Sequence, residues 1–320
     1  MIPITSSIPD DLREVREILR LAMEQLGPTP GLDDFRRAYD TVFGEMLPLP
    51  AGVTFEAVQD GEVRGVWSET ADARSHRVVL YFHGGGYFAG SARSWRLMSG
   101  ELGRRARARS FSVDYRLAPE HPYPAALDDG VAAYRWLLSQ GCPPEGIAVA
   151  GDSCGAGLAV AVMMRARAAG LPLPAAAYLV SPAVDLAVTQ ESVDRKAGVD
   201  PTGTRAGLEL CATLYLQGAS APDHRDPLVS PMYAEPADLA GFPPVLVHVS
   251  SHDIMLDEGL RLARQLALAD VATTVRVWPQ YFHAFQLWYA RLAAGREALA
   301  EAGAFIERTC GLLEKPFAPR

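Results

Sequence analysis

Apolar residues follow two rhythms along this chain. Leu12, Val15, Leu19, Ala22 and Leu26 recur at helical spacing behind Pro9, Asp10 and Asp11, which suit a first turn. A second helix is expected over residues 32–43, in a region ended by Pro48 and Pro50. Beyond it, short apolar runs alternate with longer helical segments. Strands are expected at 52–58, 62–67, 77–82, 109–113, 147–150, 176–180, 245–249 and 273–278, and helices at 125–138, 156–169 and 259–269. This alternation predicts an α/β fold, with a mostly parallel central sheet flanked by helices on both faces. The rhythm breaks over 185–231, an insert polar at its ends with an amphipathic stretch at 204–216. It is either a structural excursion or a cap over a site. Arg104-Arg105-Ala106-Arg107-Ala108-Arg109 is a basic run expected at a solvated helix end.

Composition narrows the class. The 320 residues are 49% apolar, enough for a large core in one domain. A formal charge of −8 argues against a nucleic-acid partner, which needs a basic face. No apolar run approaches the roughly 18 residues of a membrane span. The first residues lack the charged-then-apolar pattern of a secretion signal, so a cytoplasmic protein is expected. Cys142, Cys154, Cys211 and Cys310 show neither metal nor framework spacing and are read as reduced thiols.

The chemistry concentrates at four places. Gly151-Asp152-Ser153-Cys154-Gly155 lies between a strand-like run and an Ala-rich helix, the setting of a nucleophile elbow. Its glycines remove side chains that a sharp, strained turn cannot hold. His83-Gly84-Gly85-Gly86 also follows a strand and can aim bare N–H groups into a cavity, as the oxyanion of acyl transfer requires. A flexible turn or a phosphate loop is the bland alternative, but neither G-x-G-x-x-G nor G-x-x-x-x-G-K-[ST] is present. A base should follow the serine. His283, in the loop after the 273–278 strand, is favoured over His252, which adjoins Asp253 in sequence. Asp253 lies just past the 245–249 strand, at the sheet rim where ligand sites gather. Its rivals, Asp257 and Glu258, suit a helix's first turn instead. Asp253 would hold and stabilise the His283 ring. Asp152 is read as structural, and Asp114 and Arg116 are expected to pair with each other. Tyr87, Phe88, Met255, Tyr281, Phe282 and Phe285 flank these residues and suggest an apolar substrate pocket.

These motifs carry a resemblance. The chain is similar to hormone-sensitive-lipase-like (bacterial type IV) carboxylesterases of the α/β-hydrolase superfamily. The matching residues are His83-Gly84-Gly85-Gly86, the run from Asp114-Tyr115-Arg116-Leu117-Ala118-Pro119-Glu120 to His121-Pro122, and Gly151-Asp152-Ser153-Cys154-Gly155. Ser181-Pro182, Asp253 with Asp257-Glu258-Gly259, and Phe282-His283-Ala284-Phe285 continue the series in order. The resemblance implies an α/β-hydrolase fold with a helical cap and a Ser153–His283–Asp253 triad. It also implies an oxyanion hole of the Gly85, Gly86 and Cys154 amides. By the same token residues 1–50 would join the 185–231 insert in the cap, with 51–184 and 232–320 as the catalytic core. Relatives often dimerise through the last strand, here 273–278. The chain departs from the family at Cys154, Ala156, Ser250 and Ala284, none of which removes a catalytic group.

The implied function is hydrolysis of small-molecule acyl esters through an acyl-enzyme, without metal or organic cofactor. Lactone or acetyl hydrolysis by the same machinery is the close alternative, and an amidase is not excluded by residue type. The segments 181–186 and 198–201 are similar to those of acetyl hydrolases and monoterpene lactone hydrolases. A non-catalytic receptor on this fold is the alternative from another class, and the presence of all three residues weighs against it. Bulky thiol reagents are expected to inhibit through Cys154, with a buried, inert cysteine as the alternative.

Overall fold

The apolar runs read as strands all pair into one sheet. The computed structural model describes residues 9–26, 31–218 and 221–310. The strands are β1 (Val53–Asp60), β2 (Val63–Thr70), β3 (Arg74–Phe82), β4 (Ala108–Val113), β5 (Ile147–Asp152), β6 (Ala176–Val180), β7 (Val245–Ser250) and β8 (Thr273–Trp278). Their spatial order is β1-β2-β4-β3-β5-β6-β7-β8. β2 pairs antiparallel with β1 and β4, and the remaining pairs are parallel. Asp60 pairs with Val63 across a two-residue turn, which needs the positive φ that Gly61 supplies at +59°.

Among the described residues ten helices pack around the sheet: α1 (Asp10–Leu26), α2 (Leu32–Gly44), α3 (Ala92–Ala106), α4 (Ala125–Ser139), α5 (Cys154–Ala168), α6 (Glu191–Arg195), α7 (Arg205–Tyr215), α8 (Pro236–Leu239), α9 (Leu256–Leu268) and α10 (Ala293–Thr309). Because strand side chains alternate, β3 serves two cores. Val78, Leu80 and Phe82 pack with Val149, Leu179 and Val247 under α4, α5 and α9. Val79 and Tyr81 pack with Ala148, Ala150 and Tyr178 under α3 and α10. α1 and α2 extend the second core through Leu12, Val15 and Val42, and Tyr39 of α2 stacks on Trp95 of α3 at 5.4 Å.

Several expectations need correction. α3 and α10 are elements that the apolar pattern did not predict. The basic run is no simple solvated end. Arg104 and Arg105 hold the buried Glu101 at 2.7 and 2.8 Å, and the Arg109 guanidinium lies 4.1 Å over the Trp67 ring. Asp114 and Arg116 do not pair. Arg116 forks onto Asp129 of α4 at 2.8 to 3.0 Å, while Asp114 accepts the Ala92 N–H at 3.1 Å. The start of α3 offers free N–H groups to that carboxylate, and Arg116 faces the other way. Residues 1–8, 27–30, 219–220 and 311–320 of the expected segments lie outside the described residues. Among the described residues no helix is long and apolar enough to cross a membrane.

Candidate active site

β5 ends at Asp152 and α5 begins at Cys154, which leaves Ser153 alone in the turn at φ 55°, ψ −128°. Such a conformation costs a non-glycine residue about 1–3 kcal/mol and persists only where its surroundings over-determine it. Here Ser153 N donates to Val180 O at 2.9 Å, and Ala183 N donates to Ser153 O at 3.0 Å. The flanking glycines are obligatory. A Cβ at Gly155 would lie 2.1 Å from Phe82 O, and one at Gly151 would lie 2.5 Å from the Gly155 carbonyl. Asp152, fully buried, is scaffold. Its Oδ1 accepts from Tyr81 Oη (2.8 Å), Trp95 Nε1 (2.7 Å) and Gly84 N (3.1 Å). Burial still pushes its carboxyl up to about 6.

That Gly84 bond fastens the glycine loop to the elbow. Gly85 and Gly86 take φ of +115° and +63°, and Ala89 N closes onto Gly85 O at 2.9 Å. A Cβ at Gly85 would meet Ala89 O at 2.1 Å, so only glycine fits. His83 does not line the cavity; its ring braces the loop, stacked on Tyr115 at 4.1 Å between centroids, with Nδ1 2.7 Å from Gly84 O. Among the described residues nothing hydrogen-bonds the N–H of Gly85 or Cys154. The Cys154 side chain turns inward. Its Sγ accepts the Tyr87 N–H at 3.3 Å, it is 2% exposed, and burial pushes the thiol up to about 12. A buried, protonated thiol is a poor nucleophile, which favours the inert reading of Cys154 over the reactive one.

Asp253 and His283 approach from the other side. Asp253 follows β7 and is fully buried. Its Oδ1 accepts the Met255 N–H at 2.8 Å and lies 3.1 Å from His283 Nδ1, with Oδ2 at 3.3 Å. His283 sits in the loop after β8, held by Ala284 N donating to Ser181 Oγ at 3.1 Å. Burial alone would lower the imidazole's pKa; Asp253, with Asp200 and Asp152 beyond it, raises it to about 9. His252 is engaged elsewhere, its Nδ1 3.0 Å from the Arg16 guanidinium. No described side chain hydrogen-bonds the Ser153 hydroxyl, but Ser153 and His283 line the same cavity.

That cavity, about 800 Å³, is also lined by Gly85, Gly86, Tyr87, Phe88, Cys154 and Met255. Phe282 and Phe285 are not on its wall. Both are fully buried in the second core, with Phe285 5.4 Å from Trp278; the left-handed turn at Ala284 (φ 49°) carries Phe285 away from the ring it follows. Tyr281 packs on Phe285 at 4.6 Å. Sequence adjacency missed the opposite wall, where Leu19, Phe35 and Tyr39 of α1 and α2 face Leu208 and Leu214 of α7. It also missed Asp200, and it set Glu258 aside as a helix's first-turn residue although Glu258 lines the cavity. Glu258 does lie in the first turn of α9, but burial pushes it up to about 8 while Oε2 accepts the Val184 and Asp185 N–H groups at 2.5 and 2.8 Å. Among the described residues no cluster of His, Cys, Asp and Glu could hold a metal ion.

Known proteins share this arrangement of chain. The family model for the α/β-hydrolase fold matches residues 79–287. An acetyl-hydrolase of Streptomyces hygroscopicus is 39% identical over 304 residues, 94% of this chain and 97% of its own length. An esterase of Acinetobacter venetianus is 35% identical over 260 residues, 81% of this chain and 84% of its own. The crystal structure of an esterase from the bacterial hormone-sensitive lipase family superposes with a TM-score of 0.89 at 38% identity, covering 95% of this chain and all of that one.

Proposed function

This chain belongs to the α/β-hydrolase fold family as a hormone-sensitive-lipase-like carboxylic ester hydrolase, and on that premise we propose that it cleaves small acyl esters with a Ser153–His283–Asp253 triad. The observation that carries the reading is the 3.1 Å contact between Asp253 Oδ1 and His283 Nδ1 at the edge of the cavity that Ser153 lines. Ser153 Oγ attacks the ester carbonyl carbon as His283 Nε2 accepts its proton. Contacts of this kind tighten when substrate binds. The Nδ1–H donates to Asp253, which orients the ring and stabilises the imidazolium. The Gly85, Gly86 and Cys154 amides receive the oxyanion, and one such donor is worth about 3 kcal/mol. The C–O bond to the alcohol breaks as that oxygen takes the proton from His283. Water then attacks the acyl-Ser153, gives its proton to His283, and the acid departs as Ser153 recovers a proton.

In this reading the 185–231 insert and the N-terminal helices form the cap, supported by their supply of the apolar wall facing Ser153. An apolar cavity of about 800 Å³ suits a small acyl ester. The test is p-nitrophenyl acetate hydrolysis by wild type and Ser153→Ala, with a kcat loss on the order of a millionfold expected. A Ser153→Ala protein within tenfold of wild type ends the reading.

A further inference from the structure

Besides the scaffold Asp152, three buried carboxylates on the cavity wall have no part in that mechanism: Asp185, Asp200 and Glu258. Asp185 is consumed by its own turn, accepting from Thr189, Gln190 and Tyr233. Glu258 accepts two backbone amides. Asp200 differs, because it comes from the insert and reaches the turn that bears Asp253. Its Oδ1 accepts Thr202 N at 3.0 Å and Thr202 Oγ1 at 2.6 Å, and its Oδ2 accepts Ile254 N at 3.0 Å. The next amide, Met255 N, goes to Asp253 itself at 2.8 Å. Two consecutive N–H groups are thus divided between the two carboxylates.

A second contact converges on the same place. Arg16 of α1 donates from Nη1 to Val199 O at 3.2 Å, and from Nη2 to Gln280 O at 3.0 Å and toward His252 Nδ1 at 3.0 Å. Val199 precedes Asp200, His252 precedes Asp253, and Gln280 lies in the loop that carries His283. One guanidinium therefore ties together three segments far apart in sequence.

We propose that Asp200 is a positioning residue for the Asp253–His283 pair, joining the insert to the acid-bearing turn, and that Arg16 clamps the three segments from which these side chains arise. This rests on the triad reading above. The charged groups facing the His283 ring are Asp253 from the turn after β7, Asp200 from the insert and Asp152 from the end of β5. Arg16 faces Asp200 from α1, Lys196 of the insert faces His252, and Glu258 of α9 faces Asp253. An insert that lifts away takes Asp200 off the Ile254 amide and withdraws a negative charge from the imidazole. Closure of the pocket and basicity of the histidine are linked in this way.

The experiment is the pH profile of kcat/KM for p-nitrophenyl acetate, with the spontaneous rate subtracted, in the full chain. Activity rises with pH as His283 loses its proton. Asp200→Asn keeps an acceptor oxygen but removes the charge. Its limb moves to lower pH by on the order of one unit, with kcat reduced and KM near wild type. Arg16→Met, whose side chain lies off the cavity wall, removes the clamp on the three segments; Asp200 is then no longer held at the Ile254 turn, and the limb moves to lower pH here too. Folding of each variant is checked by circular dichroism, and if Asp200→Asn fails to fold, Arg16→Met carries the test. A limb at its wild-type position in the folded variants overturns the proposal, whatever happens to the rate. Ser153→Ala runs alongside. If it stays active, the triad reading has failed; if it is inactive while the limb stays put, only this inference has failed.

Discussion

Gly155→Ala puts the elbow's geometry to a direct test. The added Cβ would lie 2.1 Å from Phe82 O and 2.4 Å from His83 O, both backbone atoms that no side-chain rotation can move. A carbon and an oxygen need about 3.3 Å, so the start of α5 and the end of β3 must part by about 1 Å. Those two segments carry Ser153 and Cys154 on one side and the Gly85–Gly86 amides on the other. A displacement of that size between reacting groups costs about a hundredfold in rate, and a misplaced oxyanion donor costs a comparable factor. The overpacking itself costs about 1–3 kcal/mol of stability. Steady-state kinetics with p-nitrophenyl acetate should show kcat down roughly a hundredfold, with a much smaller change in KM, because the apolar wall is untouched. Thermal unfolding monitored in parallel separates this from a protein that no longer folds. A folded Gly155→Ala enzyme within twofold of wild-type kcat would refute the claim that backbone contact across this glycine sets the site.

Other expectations follow from single residues. Glu258 is held up to about 8 against an ordinary 4.5, so the stability tied to its proton is full below about 4.5 and is lost as pH rises through about 8. Glu258→Gln keeps the acceptor for Val184 and Asp185, so its melting temperature should gain on wild type between pH 5 and 9, and parallel curves would contradict the assignment. Ala284 sits at φ 49°, ψ 36°, a left-handed conformation that costs alanine about 1 kcal/mol, partly offset by glycine's greater unfolded-state freedom. Ala284→Gly should therefore hold or raise the melting temperature, and a fall of more than about 2 °C argues otherwise. Cys154 is 2% exposed whereas Cys211 of α7 is half-buried on the cavity wall, its thiol also pushed up to about 12. Maleimide labelling followed by peptide mass spectrometry should be slow and find Cys211 first, and prior labelling of Cys154 would reverse that order.

What is legible in the sequence here is chemistry that forces a particular backbone. Gly151 and Gly155 are glycines because carbonyls crowd the space a Cβ would take, and Gly85 and Gly86 because the loop runs at positive φ. A few adjacent letters suffice to announce such places. The central strands are legible for a related reason: β3, β5 and β6 meet helices on both faces and so read as nearly unbroken apolar runs. α3 escapes the same reading because the face it buries carries Ser94, Ser99 and Glu101. Glu101 is tolerated there only because Arg104 and Arg105 return to it one turn later, a pairing that exists once the helix has formed. The site divides along the same line. Asp253 and His283 are announced by the strands they follow. Of the two phenylalanines that flank the histidine in sequence, Phe285 leaves the cavity because the left-handed Ala284 turns the chain between it and the ring, and Phe282 is buried in the second core. Asp200 enters the site by crossing 54 residues to reach the Ile254 amide, and no local pattern records which face of the insert will close over which turn. Side chains that join the site from α1, α2 and the insert are selected by packing between segments, so they become visible only once the chain has folded.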